Sequence, residues 1–247
     1  MKRWILHIAA VALMITFIGL MLAYRSVGIK HRKNVQCTGV AICVTDSIQN
    51  SFISASDVKK YLDSEYGTYV GCQIDSVDLL AIETILNSKT AVLNSDVYVT
   101  KDGLLNITIQ QRKPAVRFLG SSKGFYADEN GETFPLQNTF SSYVPVIDGH
   151  IPAENDSIYI RNVIKLVKYL ENSPRWKNKI VQMAADSTGN LTLVPREGQE
   201  KFLFGQPEDI ERKMERMQMY YSHIVPEKGS KSYKKVDLRY TDQIICK

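Results

Sequence analysis

The segment VYVTKDGLLNITI, residues 97–109, decides how the first half of this 247-residue chain folds. Apolar residues take alternate positions on both sides of Asp102-Gly103, and they are Val97, Val99, Leu105, Ile107 and Ile109. An Asp-Gly pair between two such runs is a strong short-range signal for a β-hairpin. The segment therefore predicts two antiparallel strands joined by a tight turn.

One strand and two helices are predicted upstream of this hairpin. The β-branched run Val35–Val44 is typical of a strand. Ser54 and Asp57 have the spacing of a capping box at a helix start, and a second helix is expected over residues 76–87, where apolar residues recur at helical spacing. Residues 35–113 are therefore predicted to form a compact β-α-α-β-β unit.

Residues 114–247 are predicted to be mainly β-structure with two inserted helices, so the whole body has an α+β fold. One helix is expected over residues 155–172, and the other has Pro207 in its first turn. The apolar stripe from Ile210 to Tyr221 fits a coiled-coil seam or packing on a sheet, and a single short helix favours the sheet. Short strands are expected at residues 115–119, 124–136, 180–184, 191–194, 201–204, 234–240 and 243–246.

The run from Trp4 to Tyr24 contains no residue that is charged at neutral pH. As a helix it would be about 32 Å long, enough to cross the hydrocarbon core of a bilayer. A cleaved signal peptide is the alternative, but its apolar run of about 7–15 residues ends at small residues, and Met21 stands here where a small residue belongs. We expect an uncleaved transmembrane helix at residues 4–24, between a tail of residues 1–3 and a linker of residues 25–34.

The net charge of +5 is concentrated around that helix. Residues 1–33 contain six basic and no acidic residues, which leaves 25 basic and 26 acidic side chains in the rest of the chain. The body thus lacks the basic surface that nucleic-acid binding requires. Basic residues flank the helix on both sides, so the charge pattern alone does not decide which side of the membrane carries the body.

The four cysteines are Cys37, Cys43, Cys72 and Cys246, and none belongs to a C-x-x-C pair. Zinc-ribbon and thioredoxin-like sites are therefore excluded. Two alternatives remain open for these residues. They are buried apolar thiols, which the composition favours, or they include a disulfide such as Cys37–Cys72 in an oxidising compartment.

Motifs with catalytic spacing lack their partners. G-x-S-x-G at residues 120–124 needs a helix after the serine, but another strand is expected there. Ser56-x-x-Lys59 and Ser232-x-x-Lys235 lack the companion motifs of penicillin-interacting enzymes, and the four histidines have no metal-ligand spacing. Asp128 and Glu132 lie in a predicted turn, where acidic residues usually face water. We therefore predict no catalytic residue, metal or cofactor.

Four short strings, and the order of the predicted elements, resemble the FtsQ/DivIB family of bacterial cell-division proteins. The strings are Gln111-Arg112-Lys113-Pro114-Ala115, Asp128-x-x-Gly131-x-x-Phe134, Val144-Pro145-Val146-x-x-Gly149 and Val236-Asp237-Leu238-Arg239-Tyr240. Gln111 departs from the family, in which Glu is frequent at this position. The resemblance implies an N-terminal transmembrane helix, a POTRA domain at residues 35–113 and a β-rich domain with inserted helices at residues 114–247.

The resemblance also implies a non-enzymatic scaffold of the division machinery. Such a protein crosses the cytoplasmic (inner) membrane once, with its N-terminus in the cytoplasm and its body outside, at the division septum. Its partners would be FtsB- and FtsL-type proteins, other divisome components and the membrane, with no nucleic acid and no small-molecule substrate. The alternatives are a membrane-anchored cell-wall enzyme, for which no catalytic set is recognisable, and a POTRA-type transport or chaperone protein, which normally has several POTRA repeats.

We expect the last strands to form a sheet edge that accepts a strand from FtsB, because an edge presents unpaired N–H and C=O groups. The candidate partner-binding residues are Arg239, Tyr240, Ile244 and Ile245. Tyr240 combines an apolar ring with a polar tip, as interface anchors often do. The alternative, in which Ile244 and Ile245 only fill the core of their own domain, stays open at this point.

Overall fold

The computed structural model describes residues 12–25, 35–45, 52–89, 91–120, 124–137, 140–151 and 156–247. The chain divides into two compact units between Gln111 and Arg112. Each unit combines helices with one β-sheet, and the second is the richer in strands. The predicted α+β fold class is therefore confirmed.

Helix α1 covers residues 12–25, which include the second half of the predicted membrane span. Residues 4–11 of that span, the tail of residues 1–3 and linker residues 26–34 lie outside the described residues. Within the described ranges, no helix combines the length and the apolar character that crossing a bilayer requires. The transmembrane helix at residues 4–24 stays a prediction.

The first unit contains a three-stranded sheet and two helices in the predicted order β-α-α-β-β. Its elements are β1 (Gly39–Val44), α2 (Ala55–Glu65), α3 (Leu79–Asn87), β2 (Val92–Val99) and β3 (Leu104–Gln111). β3 lies in the centre of the sheet, parallel to β1 and antiparallel to β2. A 3₁₀ turn, Ile74–Ser76, precedes α3, which begins later than the predicted start at residue 76.

Local signals in the sequence account for the boundaries of this unit. Ser54 Oγ accepts the N–H of Asp57 at 3.2 Å, and the Asp57 carboxylate accepts the N–H of Ser54 at 3.2 Å, which is the expected capping box. The hairpin turn is closed by the N–H of Gly103, which donates to the carbonyl of Thr100 at 3.0 Å. The alternation after that turn is confirmed, because Leu105, Ile107 and Ile109 are all fully buried.

The second unit contains a nine-stranded sheet. Its strands are β4 (Pro114–Gly120), β5 (Phe125–Asp128), β6 (Thr133–Pro135), β7 (Val146–Gly149), β8 (Ile180–Ala185), β9 (Leu191–Pro195), β10 (Lys201–Gly205), β11 (Lys235–Asp237) and β12 (Ile245–Cys246). They lie in the order β12-β11-β10-β9-β8-β7-β4-β5-β6. Most neighbours are antiparallel, and the parallel pairs are β4–β7, β7–β8 and β10–β11.

One row of paired apolar residues crosses this sheet from strand to strand. The successive register partners are Phe118, Ile147, Met183, Leu193, Phe202, Val236 and Cys246. Directly paired residues share a face of a sheet, so all of them point to the same side. Helices α4 (Ser157–Asn172) and α5 (Ile210–Met219) pack their apolar stripes into the core on that side. The stripe of α5 therefore packs on a sheet, as the sequence favours, rather than in a coiled coil.

The start of α5 differs from the prediction. The helix begins after Asp209, whose φ of 49° is left-handed, so Pro207 lies before the helix rather than in its first turn. At its other end α5 continues into a π-helical turn, Tyr220–Ile224, and a short helix α6, Val225–Lys228. Strand β7 was not predicted at all, because four residues that follow Pro145 give too short a pattern to detect.

Asp128 is buried, so the expectation that the acidic residues of this turn face water is wrong for it. Its carboxylate accepts the N–H groups of Asn130 and Glu132 at 2.9 and 3.0 Å, and Arg112 Nη1 donates to it at 2.8 Å. The ion pair joins the first two of the four family-like strings and fixes the turn between β5 and β6.

We expect Arg112→Ala to lower the free energy of unfolding of the second unit by about 2–3 kcal/mol, because a buried carboxylate loses its cation. Asp128 keeps its two backbone N–H donors in this variant. The loss of stability should therefore be smaller than for a buried carboxylate without any hydrogen-bond donor. The loss can be measured by urea unfolding in a protein that also carries Trp4→Phe. The buried Trp176 is then the remaining tryptophan, and its fluorescence reports the unfolding of this unit.

Lys168→Ala is the matched control, since Lys168 pairs with Glu129 at 3.0 Å on the exposed surface beside the same turn. An exposed pair contributes about 0–1 kcal/mol. Equal losses in the two variants would contradict a structural role of the buried pair.

Candidate functional site

The four candidate residues from the sequence lie on one β-hairpin at an edge of the nine-stranded sheet. β12 is the outermost strand there, since it pairs with β11 and no strand of the described residues lies on its other side. Arg239, Tyr240 and Ile244 belong to the loop between β11 and β12, and Ile245 is the first residue of β12. The structure therefore places the four residues on one hairpin whose outer strand is a free edge.

Along β12, residues whose N–H and C=O bond to β11 alternate with residues whose N–H and C=O face outward. Lys247 and Lys235 exchange both of their N–H···O bonds, at 2.9 and 3.0 Å. Bonded and non-bonded pairs alternate along an antiparallel ladder, so the next pair, Cys246 with Val236, is non-bonded. The N–H and C=O of Cys246 consequently point away from β11, and they form a donor and an acceptor for a further strand.

The side chains of the hairpin face different surroundings. Ile244 and Cys246 are half-buried and pack against the core of their own unit. Ile245 is also half-buried, but it points to the opposite face of the sheet, because successive side chains alternate. Tyr240 keeps 46% of its surface exposed. The core-filling alternative thus describes Ile244, while Ile245 and Tyr240 remain accessible from outside that core.

Arg239 is bound within the hairpin while its side chain stays 45% exposed. Its Nε and Nη2 donate to the two carboxylate oxygens of Asp237, at 2.8 and 2.6 Å. This bonding lowers the pKa of Asp237 and raises that of Arg239. Gly205, at the end of β10, leaves room for the arginine, because a Cβ there would lie 2.8 Å from Arg239 Cγ. The arginine is therefore held between Asp237 of its own hairpin and the end of β10, on the side of β11 that faces away from β12.

The buried guanidinium of Arg216, on α5, fixes the loop that carries these residues. Nη1 donates to the carbonyl of Thr241 and Nη2 to the carbonyl of Leu238, each at 2.7 Å. Arg216 is only 8% exposed, and no ion pair between described residues includes it. Because the Leu238 carbonyl turns to the helix, the ladder ends at Asp237. The predicted strand over residues 234–240 was therefore too long.

Lys213, a second buried cation of α5, binds the end of β10 in the same way. Its Nζ donates to the carbonyl of Gln206 at 2.7 Å and lies 4.9 Å from the ring centre of Phe204. Burial lowers the pKa of this lysine. The side chain of Gln206 in turn donates to the carbonyl of Thr188, between β8 and β9, at 2.6 Å. These bonds join α5 and three neighbouring strand ends into one corner beside the candidate edge.

Sequence reasoning missed Arg216, Lys213 and Gly205. The sequence does contain a signal for the two cations. Lys213 and Arg216 directly precede Met214 and Met217 of the apolar stripe, so they are three residues apart, as the two methionines are. The buried side of α5 is thus wider than its apolar residues indicate. Nothing in the sequence identifies Gly205, because its role depends on a contact with the distant Arg239.

The motifs with catalytic spacing are engaged in other contacts. Lys59 pairs with Asp63 at 3.1 Å, and Ser56 Oγ lies 2.8 Å from Ser54 Oγ, so the first S-x-x-K motif is part of a helix start. In the motif at residues 120–124 a strand follows instead of a helix, and residues 121–123 lie outside the described residues. In the described part of the chain, no group of three or more His, Cys, Asp or Glu residues could hold a metal ion. The candidate edge offers main-chain pairing and an amphipathic rim, which serve binding rather than bond chemistry.

Two family models match the chain. Residues 35–110 match one described as a POTRA-like domain, and residues 113–247 match one described as FtsQ/DivIB, C-terminal related. The second match covers more than half of the chain and contains the candidate edge. No curated protein matches the chain.

We expect Arg216→Met to loosen the loop between β11 and β12 while α5 stays in place. Methionine fills a similar volume but cannot donate to the carbonyls of Leu238 and Thr241. The amides of Leu238 and Arg239 donate to the Leu203 carbonyl and to Asp237 Oδ1, at 3.0 and 3.1 Å. Their hydrogen exchange should become at least about tenfold faster, since a hydrogen bond to a charged group contributes about 1.5–3 kcal/mol.

The matched control is Arg212→Met, which removes an exposed cation one turn earlier on the same helix. Exchange of the Leu238 and Arg239 amides should not change in this control. The same slow exchange in both variants would show that Arg216 does not hold the loop.

Proposed function

Because the chain belongs to the FtsQ/DivIB family, we propose that it is a non-enzymatic scaffold of the bacterial division machinery that binds FtsB- and FtsL-type partners at the septum. Membership of this family indicates a cell-division protein that acts through protein–protein contacts in association with the septal membrane. The unpaired edge of β12 is the observation that supports partner binding. It lies within residues 113–247, which match the family model.

A strand from the FtsB-type partner would add to this edge. The outward N–H and C=O of Cys246 supply the first pair of main-chain bonds, and a chain running along β12 satisfies both groups. Strand addition of this kind draws its affinity from the main chain and its selectivity from side chains on either face. The partner segment therefore needs an extended backbone without proline at the position that faces Cys246.

The side chains around the edge would then set selectivity. Tyr240 and Ile245 offer the accessible apolar contacts, and tyrosine is one of the residue types enriched among interface anchors. Ile244 supports the strand from the core side. Arg239 stays paired with Asp237, and we expect such a charge at the rim to act more on the rate of encounter than on affinity.

The remaining segments would place this edge at the septum. The tail of residues 1–3 would lie in the cytoplasm, the helix of residues 4–24 would cross the inner membrane once, and the linker of residues 25–34 would lead to a body on the outer side. Within that body, the POTRA domain of residues 35–113 would help to recruit the protein to the division site, and the β-rich domain of residues 114–247 would bind the partners. Helix α1 and the cluster of cations around it support this arrangement.

The proposal predicts that Tyr240→Glu weakens capture of an FtsB-type partner by at least about 30-fold, because interface anchors contribute about 2 kcal/mol or more and a carboxylate cannot replace the ring. A pull-down of the partner with the purified full chain, at several partner concentrations, measures the change. The variant must first show the same urea-unfolding curve as the native protein.

Tyr143→Glu is the matched control, since Tyr143 is fully exposed in the same unit but lies outside the hairpin. It should bind the partner as the native chain does. If a correctly folded Tyr240→Glu protein binds as tightly as this control, the β12 edge is not the partner site.

A further inference from the structure

Cys37 and Cys72 lie opposite each other in the first unit, next to the isolated antiparallel bridge between Gln36 and Gln73. The N–H of Cys37 donates to the carbonyl of Cys72 at 2.8 Å, and the N–H of Gly71 donates to the carbonyl of Cys37 at 2.7 Å. Gly71 has a φ of +85°. This is the pattern of a β-bulge in which Gly71 and Cys72 together oppose Cys37.

The hydrogen bonds of the bulge bring the backbones of the two cysteines close together. Opposed residues in an antiparallel pair have their side chains on the same face and their Cα atoms about 5.5 Å apart. Disulfides bridge Cα atoms about 4.4–6.8 Å apart. The backbone pairing of Cys37 and Cys72 therefore favours a bond between their sulfur atoms.

Both thiols are free in the structure, and weak contacts hold them. Cys37 Sγ lies 3.6 Å from the carbonyl oxygen of Gly39, and Cys72 Sγ lies 3.6 Å from that of Thr68. A thiol is a weak hydrogen-bond donor. Little stabilisation is therefore lost when the side chains rotate about their Cα–Cβ bonds and the two sulfur atoms turn towards each other.

The other two cysteines are placed differently. Cys43 is exposed on β1, and it follows Cys37 by six residues of extended chain, or about 20 Å, which is too far for a bond. Cys246 belongs to the second unit, where it is half-buried against the core. Among the described cysteines, Cys37 and Cys72 are thus the pair that the backbone already opposes.

We propose that Cys37 and Cys72 are an oxidation site that closes to an intramolecular disulfide in an oxidising compartment. Its occurrence in cells rests on the proposed location of the body outside the cytoplasmic membrane, where disulfides persist. The bond would tie the point at which the chain enters the first unit to the loop between α2 and α3. It would thereby fasten this unit beside the linker from the predicted membrane helix.

The difference in exposure between the two cysteines determines which of them reacts first. Cys72 is partly exposed, so its thiolate attacks one sulfur of a disulfide donor and releases the first donor thiol. Cys37, only 2% exposed, then attacks the Cys72 sulfur of the mixed disulfide and releases the second donor thiol. The donor takes up two electrons and the two thiol protons, and the protein loses two hydrogen atoms.

The test uses the purified full chain with Cys43→Ser and Cys246→Ser, so that only the opposed pair remains. After incubation with oxidised glutathione and alkylation of the remaining thiols, mass spectrometry should find a peptide linked through Cys37 and Cys72 and no alkylated cysteine. In the native chain the same linked peptide should exceed every other cysteine pairing.

Adding Cys37→Ser to that variant gives the control, in which the reaction should stop at a mixed disulfide between Cys72 and glutathione. Alkylation of both Cys37 and Cys72 in the two-cysteine protein, or two separate mixed disulfides, would overturn the proposal. Such a failure leaves the proposed function intact, because partner binding at β12 does not involve these residues.

Discussion

The second unit depends on a single row of apolar residues that crosses its sheet strand by strand. The row runs from Phe118 to Val236 in buried positions and ends at Cys246, in the outermost strand. Because a shift of one residue would turn every side chain of a strand to the other face, burying this row fixes the register of each strand. The same packing that holds the side chain of Cys246 against the core directs its backbone groups to the free edge. Stability and the candidate binding surface therefore follow from one constraint.

Helix α5 adds a second constraint through two buried cations that bind carbonyl groups instead of carboxylates. Lys213 holds the end of β10, and Arg216 holds the end of β11 together with the loop behind it. A buried charge is costly, and donation to carbonyl oxygens offsets part of that cost. These bonds end the ladder and shape the loop that carries Tyr240 and Arg239. A loop that is ordered in advance would reduce the ordering cost of the proposed partner binding.

Local patterns predicted the first unit well because its signals are close together in sequence. The Asp102-Gly103 hairpin and the Ser54 cap need only neighbouring residues, and both are present in the structure. The errors in the second unit concern residues whose surroundings come from distant segments. Asp128 is buried because Arg112 reaches it, and β11 stops early because Arg216 takes a carbonyl from its end. The sequence could predict an edge in this region, but not the contacts between elements that shape it.

The proposed partner strand extends the sheet at the outward N–H and C=O groups of Cys246. Hydrogen exchange of single amides in the full chain, with and without an FtsB-type partner, tests this claim most directly. Because Ile245 already pairs with Asp237 of β11 and the N–H of Cys246 faces outward, we expect strong new protection at the Cys246 amide and little change at the Ile245 amide. Protection elsewhere in the second unit, with the Cys246 amide exchanging as fast as in the free protein, would contradict it.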